Sequence, residues 1–322
     1  MRSRVLYFPY IRIPQSVWLT RVLLYWDQVS SIVPSQFTEE PESLGQHMRG
    51  LVTEGLVFQV IPRMYIHEVP KFGNAFRRYL DSLGQDADRR RRSFDRGKVL
   101  PLHVEKLDGI GDDLVGRHLA RRAEYPWYDV EWDTAHDFMS YLATTLGQLA
   151  AVDSAPITDK AAYLVRFSRA GVRHADIERQ LDLLRTQVLD RILPVPRRPI
   201  DPKAIRAFKD RHATELNDFR LRVERELIAA ASIADPALRR RHLDLFVDEA
   251  EERIGEIETA MRSAGWSTAR AGLSVVAAIP GVSPLLGLAG AVWDAVTRGG
   301  PRRASVDFAY AAHVRAELTR VS

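Results

Sequence analysis

The hydrophobic pattern of this 322-residue chain changes in kind near residue 155. Before that point, short apolar and β-prone runs alternate with stretches of helical spacing. Beyond it, the apolar residues keep a three-to-four spacing. The change argues for two units: an α/β or α+β unit over 1–155 and a mainly α-helical unit over 156–322. A chain of this length buries about three quarters of its unfolded surface and needs no covalent staples. It contains no cysteine, which removes disulfide scaffolds, thiol nucleophiles and cysteine-ligated metals. With 46% apolar and 27% charged residues, it is neither disordered nor collagen-like.

Within the first unit, Val5 to Tyr10 reads as a buried strand, and Val17 to Val29 carries apolar residues at helical spacing. Ser30–Val33, Leu56–Ile61, Met64–Val69 and Val99–Val104 read as further strands. Ser43–Glu54 and Phe72–Leu83 read as helices, with Gly55 placed to end the first. Strand and helix in alternation predict a layer of parallel strands.

The segment RVLYFPYIRIP, followed by WLTRVLLYWDQVSSIVP, resembles the opening of a bacterial family of uncharacterised proteins. Members begin with an aromatic strand, a Trp-Leu helix ending in Tyr-Trp-Asp, and an Ile-Val-Pro strand. ILPVPRRPIDPKAIRAFKDRHATELNDFR is similar to a second piece of such proteins. The resemblance implies a bacterial, cytoplasmic protein and carries over no functional residue. The opening residues agree. Val5 to Ile11 is too short an uncharged run for an export signal before Arg12 intervenes.

The charge balance is even: 46 basic against 42 acidic residues. A net +4 does not make the concentrated basic face of a nucleic-acid binder. Two local patterns stand out. Arg89, Arg90, Arg91 and Arg92 form a basic run in what reads as a polar loop, a candidate grip for an anion or a partner. Asp86, Asp88 and Asp95 flank it and weaken its field. The second pattern is YDVEWD. From Ala123 to Asp159 there is no Lys or Arg, and Asp129, Glu131 and Asp133 alternate with Tyr128, Val130 and Trp132. On a strand, a period of two puts the three carboxylates on one face, a candidate Mg²⁺ or Ca²⁺ site. The plainer reading is a wet acidic face neutralised by arginines. Asp133 or Thr134 also suits the cap of a following helix. Phosphate-binding glycine loops, dinucleotide fingerprints, nucleophile elbows and His-Glu-x-x-His are all missing, so no cofactor is expected.

In the second unit, Ile177, Leu181, Leu184, Val188 and Ile192 form a helical stripe. A proline-rich joint at 193–199 stops it. Asp201-Pro202 and Asp235-Pro236 each pair a capping residue with proline at the first helical position. Helices are therefore predicted over 202–230 and 236–264, paired as a long antiparallel hairpin. The contact layers are expected to include Ile205, Phe208, Phe219, Leu245, Ile254 and Ile257. His212 and His242 lie on these stripes at levels roughly 18 Å apart along the axis, at about 1.5 Å per residue. Each is therefore expected beside a local acid and not on a shared metal. Ala271 to Trp293 is uncharged for 23 residues. Pro280 and Pro284 divide it into pieces too short to cross about 30 Å of hydrocarbon. It is expected to be a buried or interfacial hydrophobic hairpin within 271–296, built on Val275, Ile279, Leu285, Leu286, Leu288 and Trp293.

These features favour a non-enzymatic, cytoplasmic binding or scaffold protein with a protein partner or self-association. Nucleic acid is not expected as a partner, and a membrane is not favoured. A membrane-acting effector of a bacterial defence system, using the 271–293 segment, is the second reading. A metal-dependent hydrolase using Asp129, Glu131 and Asp133 is the third.

Overall fold

The computed structural model describes residues 4–159, 175–193, 195, 200–263 and 306–319. The hydrophobic segment 271–293 and the prolines of the 193–199 joint lie outside these residues. Contacts divide the chain into two compact units. One comprises Met1–Gln15 with Trp26–Glu178, and the other Ser16–Tyr25 with Arg179–Ser322.

The elements up to residue 159 run in chain order β1 (Arg4–Tyr7), α1 (Val17–Tyr25), β2 (Gln28–Ile32), α2 (Gln46–Thr53), β3 (Val57–Val60), α3 (Phe72–Asp81), α4 (Gln85–Asp95), β4 (Val99–His103), α5 (Val104–Leu107), α6 (Ile110–Gly116), β5 (Ala120–Arg122), β6 (Trp127–Glu131), α7 (Trp132–Gly147) and β7 (Ser154–Ile157). The predicted α/β architecture is present. Strands β1, β2, β3 and β7 form one sheet in the order β3-β2-β1-β7, and every neighbouring pair is parallel. The central strands are buried on both faces, which is why Val5, Leu6 and Tyr7 read as a continuous apolar run. Pro156 sits on the edge strand β7, where a missing N–H removes no ladder bond. A second, antiparallel sheet has the order β4-β6-β5, with Pro101 likewise on an edge. Phe72, Phe76, Leu102, Leu107, Ile110, Val130 and Phe138 belong to the core shared by the two sheets and their helices.

Two local expectations are corrected. Met64–Val69 is not a strand: Pro62 opens a helical turn, Pro62–Tyr65, followed by a 3₁₀ turn at Ile66–Glu68. Proline at the first helical position sets the required φ, and its missing N–H costs nothing there. The arginine run is not a loop but part of α4, with Asp86 and Asp88 in its first turn. Asp86 pairs with Arg89 and Arg90, and Asp88 with Arg91, at helical spacings of three and four.

The second unit is mostly helical. It contains α1 together with α8 (Ala175–Ile192), α9 (Pro202–Arg211), α10 (Ala213–Ala231), α11 (Pro236–Ser263) and α12 (Ala309–His313), which continues into a π-helical turn, Val314–Thr319. Asp201 caps α9 by accepting from the Lys203 N–H at 2.8 Å, as its Asp-Pro pair predicts. The predicted 202–230 helix is interrupted at His212, whose backbone leaves the helical region (φ −111°, ψ 32°). Phe219 is fully buried among the rings of Tyr25, Phe308 and Tyr310. Leu245 is 62% exposed and does not join the core. Ile254 and Ile257 are buried as expected, and the inward face of α11 is completed by Leu243, Phe246, Val247 and Ala250. Among the described residues no helix is long and apolar enough to cross a membrane.

The fit of α7 to β7 depends on one glycine. A Cβ added at Gly147 would stand 2.2 Å from the backbone oxygen of Ser154, a distance that only backbone movement relieves. Gly147→Ala is expected to cost about 1–3 kcal/mol, the range for overpacking a rigid site. Urea unfolding of the parent and variant checks it.

Candidate functional site

The carboxyl ends of β2 and β3 are covered by α5, a single helical turn. The turn is held there by its own acidic side chain. Glu105 Oε2 accepts from the backbone N–H of Ser35, just beyond β2, at 2.9 Å, and Glu105 Oε1 accepts from the Ser35 hydroxyl. The same helix packs against the Pro62–Tyr65 turn that follows β3. His103 caps α5 by accepting from the Glu105 N–H at its Nδ1, 3.2 Å away. Its Nε2 lies 3.3 Å from Gln36 Oε1. Trp127 stands edge-on to both His103 and Phe37, with ring centroids 5.2 and 6.4 Å away.

Next to Glu105 is Lys106, which is only 2% exposed. No carboxylate pairs with its amine among the described residues, because the neighbouring Glu105 is committed to Ser35. Burial alone pushes the Lys106 amine down to about 7. Burial also lowers the His103 imidazole, with Glu105 opposing and the Lys106 charge adding to the fall. Lys106 is therefore a desolvated amine on a turn beyond the carboxyl ends of β2 and β3, close enough to His103 for its charge to act on that imidazole. An amine in this setting can take up an anion, whose charge replaces the missing counter-ion. The switch point of this sheet lies between β1 and β7, where the Tyr7 hydroxyl donates to Asp159 Oδ1 at 3.2 Å.

The residues singled out from sequence lie elsewhere. Arg90 is buried in the core of the first unit. It donates to Asp137 Oδ2 at 2.7 Å, to Asp86 Oδ2 at 2.9 Å and to Thr134 Oγ1 at 3.3 Å. Tyr79 donates to the same Asp137 oxygen at 2.6 Å. Burial alone would make the Arg90 guanidinium a weaker base; Asp137, Tyr79 and Asp86 more than offset it, and the net shift is upward. Arg89 and Arg91 are exposed and pair with acids of their own helix. Arg92 lies on the same helix, so the four arginines do not share one face.

The acidic triplet is also divided. Asp129 pairs with Arg121, its direct cross-strand neighbour, at 2.9 Å. Glu131 is fully buried, and its Oε2 caps α7 by accepting from Thr134 N–H and Thr134 Oγ1, both at 2.8 Å. Its Oε1 is buried with no hydrogen-bond partner. Asp133 falls in the first turn of α7, not on the strand, and lies 3.5 Å from Arg89. The single exposed acidic face is therefore absent: the strand ends at Glu131, and the helix turns Asp133 away from the strand's period of two. The residues of the hydrophobic hairpin, Val275, Ile279, Leu285, Leu286, Leu288 and Trp293, lie outside the described residues. His242 stands 3.1 Å from Glu226, while His212 joins His313 and Glu317.

Comparisons of the chain with protein-family models, with curated proteins and with solved structures find no match.

Two predictions follow from these charges. Removing Arg90 takes the buried cation from Asp137, while Asp86 keeps Arg89: Arg90→Met should cost about 3–5 kcal/mol, as for a broken buried pair. Arg91→Ala, on the surface, should leave unfolding unchanged. Equilibrium unfolding of both variants distinguishes them. Lys106 acts in the opposite sense. Its folded pKa of about 7 lies below the ordinary lysine value of about 10.4. Between those values the unfolded chain binds the extra proton, so stability rises with pH. The burial cost is fully present below pH 7 and is relieved toward pH 10.4. Lys106→Met should thus be more stable than the parent by about 1–4 kcal/mol at pH 6.5. The gain should shrink by pH 9.5, read by urea unfolding at both values.

Proposed function

We propose that the chain is a non-enzymatic binding protein whose first unit holds a small anionic ligand at the carboxyl edge of its parallel sheet. The observation that carries this reading is Lys106, buried with no carboxylate paired to its amine among the described residues. A charge in that position costs stability, and an anionic ligand returns that cost as affinity. The Lys106 charge acts on the His103 imidazole, and Glu105, which could have neutralised it, is taken up by Ser35. The resemblance of the opening segment supports a bacterial, cytoplasmic setting. The test is calorimetric titration of the full chain at pH 7 with inorganic phosphate, a sugar phosphate and a dicarboxylate. At least one should bind saturably at one equivalent, and Lys106→Met should abolish that binding while Lys98→Met retains it. Silence toward all three, or binding untouched by Lys106→Met, would overturn the proposal.

The second unit favours a protein partner or self-association. Its long antiparallel hairpin of α10 and α11 is supported by contacts that run in opposite chain directions. Arg222 pairs with Glu249 at 3.1 Å and lies over the Phe246 ring, while Glu226 pairs with His242. Leu221 and Ile228 on α10, and Leu238 and Leu245 on α11, are 55–62% exposed, and each pair is spaced two helical turns apart. Four large apolar side chains left in water on these two helices are what a protein contact would cover. Sedimentation of the parent should show concentration-dependent self-association that Ile228→Glu with Leu238→Glu weakens at least tenfold. A parent that sediments as a monomer at its highest soluble concentration would remove self-association from this reading.

A further inference from the structure

In the second unit, the break between α9 and α10 carries His212 out of the helical register. Its Nε2 lies 2.9 Å from Glu317 Oε1. His313 Nδ1 lies 3.3 Å from the same oxygen. The two imidazole rings stack with centroids 4.0 Å apart. His313 ends α12 and Glu317 follows it by four residues in the π-helical turn Val314–Thr319, a distortion that recurs at functional sites. The His212 and Glu317 side chains are each 5% exposed and that of His313 is 12% exposed. One nitrogen from each histidine and one carboxylate oxygen all lie within 4.8 Å of one another.

We propose that His212 Nε2, His313 Nδ1 and Glu317 Oε1 bind one first-row transition-metal ion of the zinc class. Bonds of about 2.0–2.1 Å to a tetrahedral ion set its ligand atoms about 3.3 Å apart. Both histidine nitrogens already stand close to that distance from the shared oxygen. Two imidazoles and one carboxylate suit zinc, cobalt or nickel. Magnesium and calcium require oxygen ligands throughout. The surrounding groups orient this set as a metal centre requires. Glu215 Oε1 lies 4.0 Å from the far nitrogen of His212, its Nδ1, and so favours a proton there and a lone pair on Nε2. Arg211 donates to Glu317 Oε2 at 2.8 Å, which leaves Oε1 for the ion. Three protein ligands leave the fourth tetrahedral position to water. Spacing along α9, α10 and α11 keeps His212 apart from His242; the other two ligands come from a helix a hundred residues further on.

The test uses the full chain after treatment with a chelator, titrated calorimetrically with Zn²⁺, Co²⁺ and Mg²⁺. Zn²⁺ and Co²⁺ should bind at one equivalent, with Co²⁺ developing the visible absorption of a tetrahedral site, and Mg²⁺ should give no saturable heat. His313→Gln and Glu317→Gln should abolish stoichiometric binding. Glu215→Gln, which leaves the three ligands in place, should weaken it about 10- to 100-fold. His242→Gln, whose imidazole sits with Glu226, should bind like the parent. Circular dichroism establishes that each variant is folded; should His313→Gln or Glu317→Gln unfold, Glu215→Gln decides. Absence of one-equivalent binding in the parent, or binding undiminished in Glu215→Gln and in the folded ligand variants, would overturn the proposal.

Discussion

The C-terminal end of α1 is a constraint on which much of the helical unit depends. Leu24 and Tyr25 are both fully buried, so their carbonyls, orphaned at a helix end, have no water to turn to. Tyr310, from near the end of the chain, donates its hydroxyl to Leu24 O at 2.6 Å, and Arg220 donates to Tyr25 O. The Tyr25 hydroxyl in turn donates to Glu224 Oε1 at 2.9 Å, and Arg185 grips both oxygens of that carboxylate. The end of one short helix near the amino terminus is thereby satisfied by groups from α10 and α12, and Arg185 of α8 holds the carboxylate that meets the Tyr25 hydroxyl. The chain leaves the parallel sheet after β1, contributes α1 to the helical unit, and returns for β2.

Buried charge is handled in two ways. Arg90 and Arg185 are each surrounded by carboxylates and fix the helices that carry them. Such pairs add little net stability over apolar replacements, but they penalise any packing that separates the partners. Lys106 breaks this pattern, with its one adjacent acid spent on holding Ser35. A fold that tolerates an unneutralised amine in its interior gives up stability at that point, as binding sites do. The centre at His212 stands between these cases. Its carboxylate is matched by histidines and by Arg211, yet the nitrogens converge on a single oxygen as ligands converge on an ion.

The sequence alone determined much of this protein. Buried parallel strands read as unbroken apolar runs, Asp-Pro pairs began α9 and α11, and the shift from strand-like to helical spacing separated an α/β part from a helical one. These features are local, because caps, proline geometry and period act within a few residues. Tertiary structure decided the rest. The arginine run became a helix because Asp86 and Asp88 lie at pairing distance along it and because Asp137, from a distant helix, receives Arg90. Leu245 and Phe246 are neighbours in sequence, and only the packing of α11 chose which one is buried. Lys106 carries no motif, since its chemistry comes from desolvation and from the diversion of Glu105 to Ser35. His212, His313 and Glu317 are a hundred residues apart in part, and no spacing rule joins them. Protonation, ligation and burial depend on which groups share a dry volume, and the folded chain alone brings those groups together.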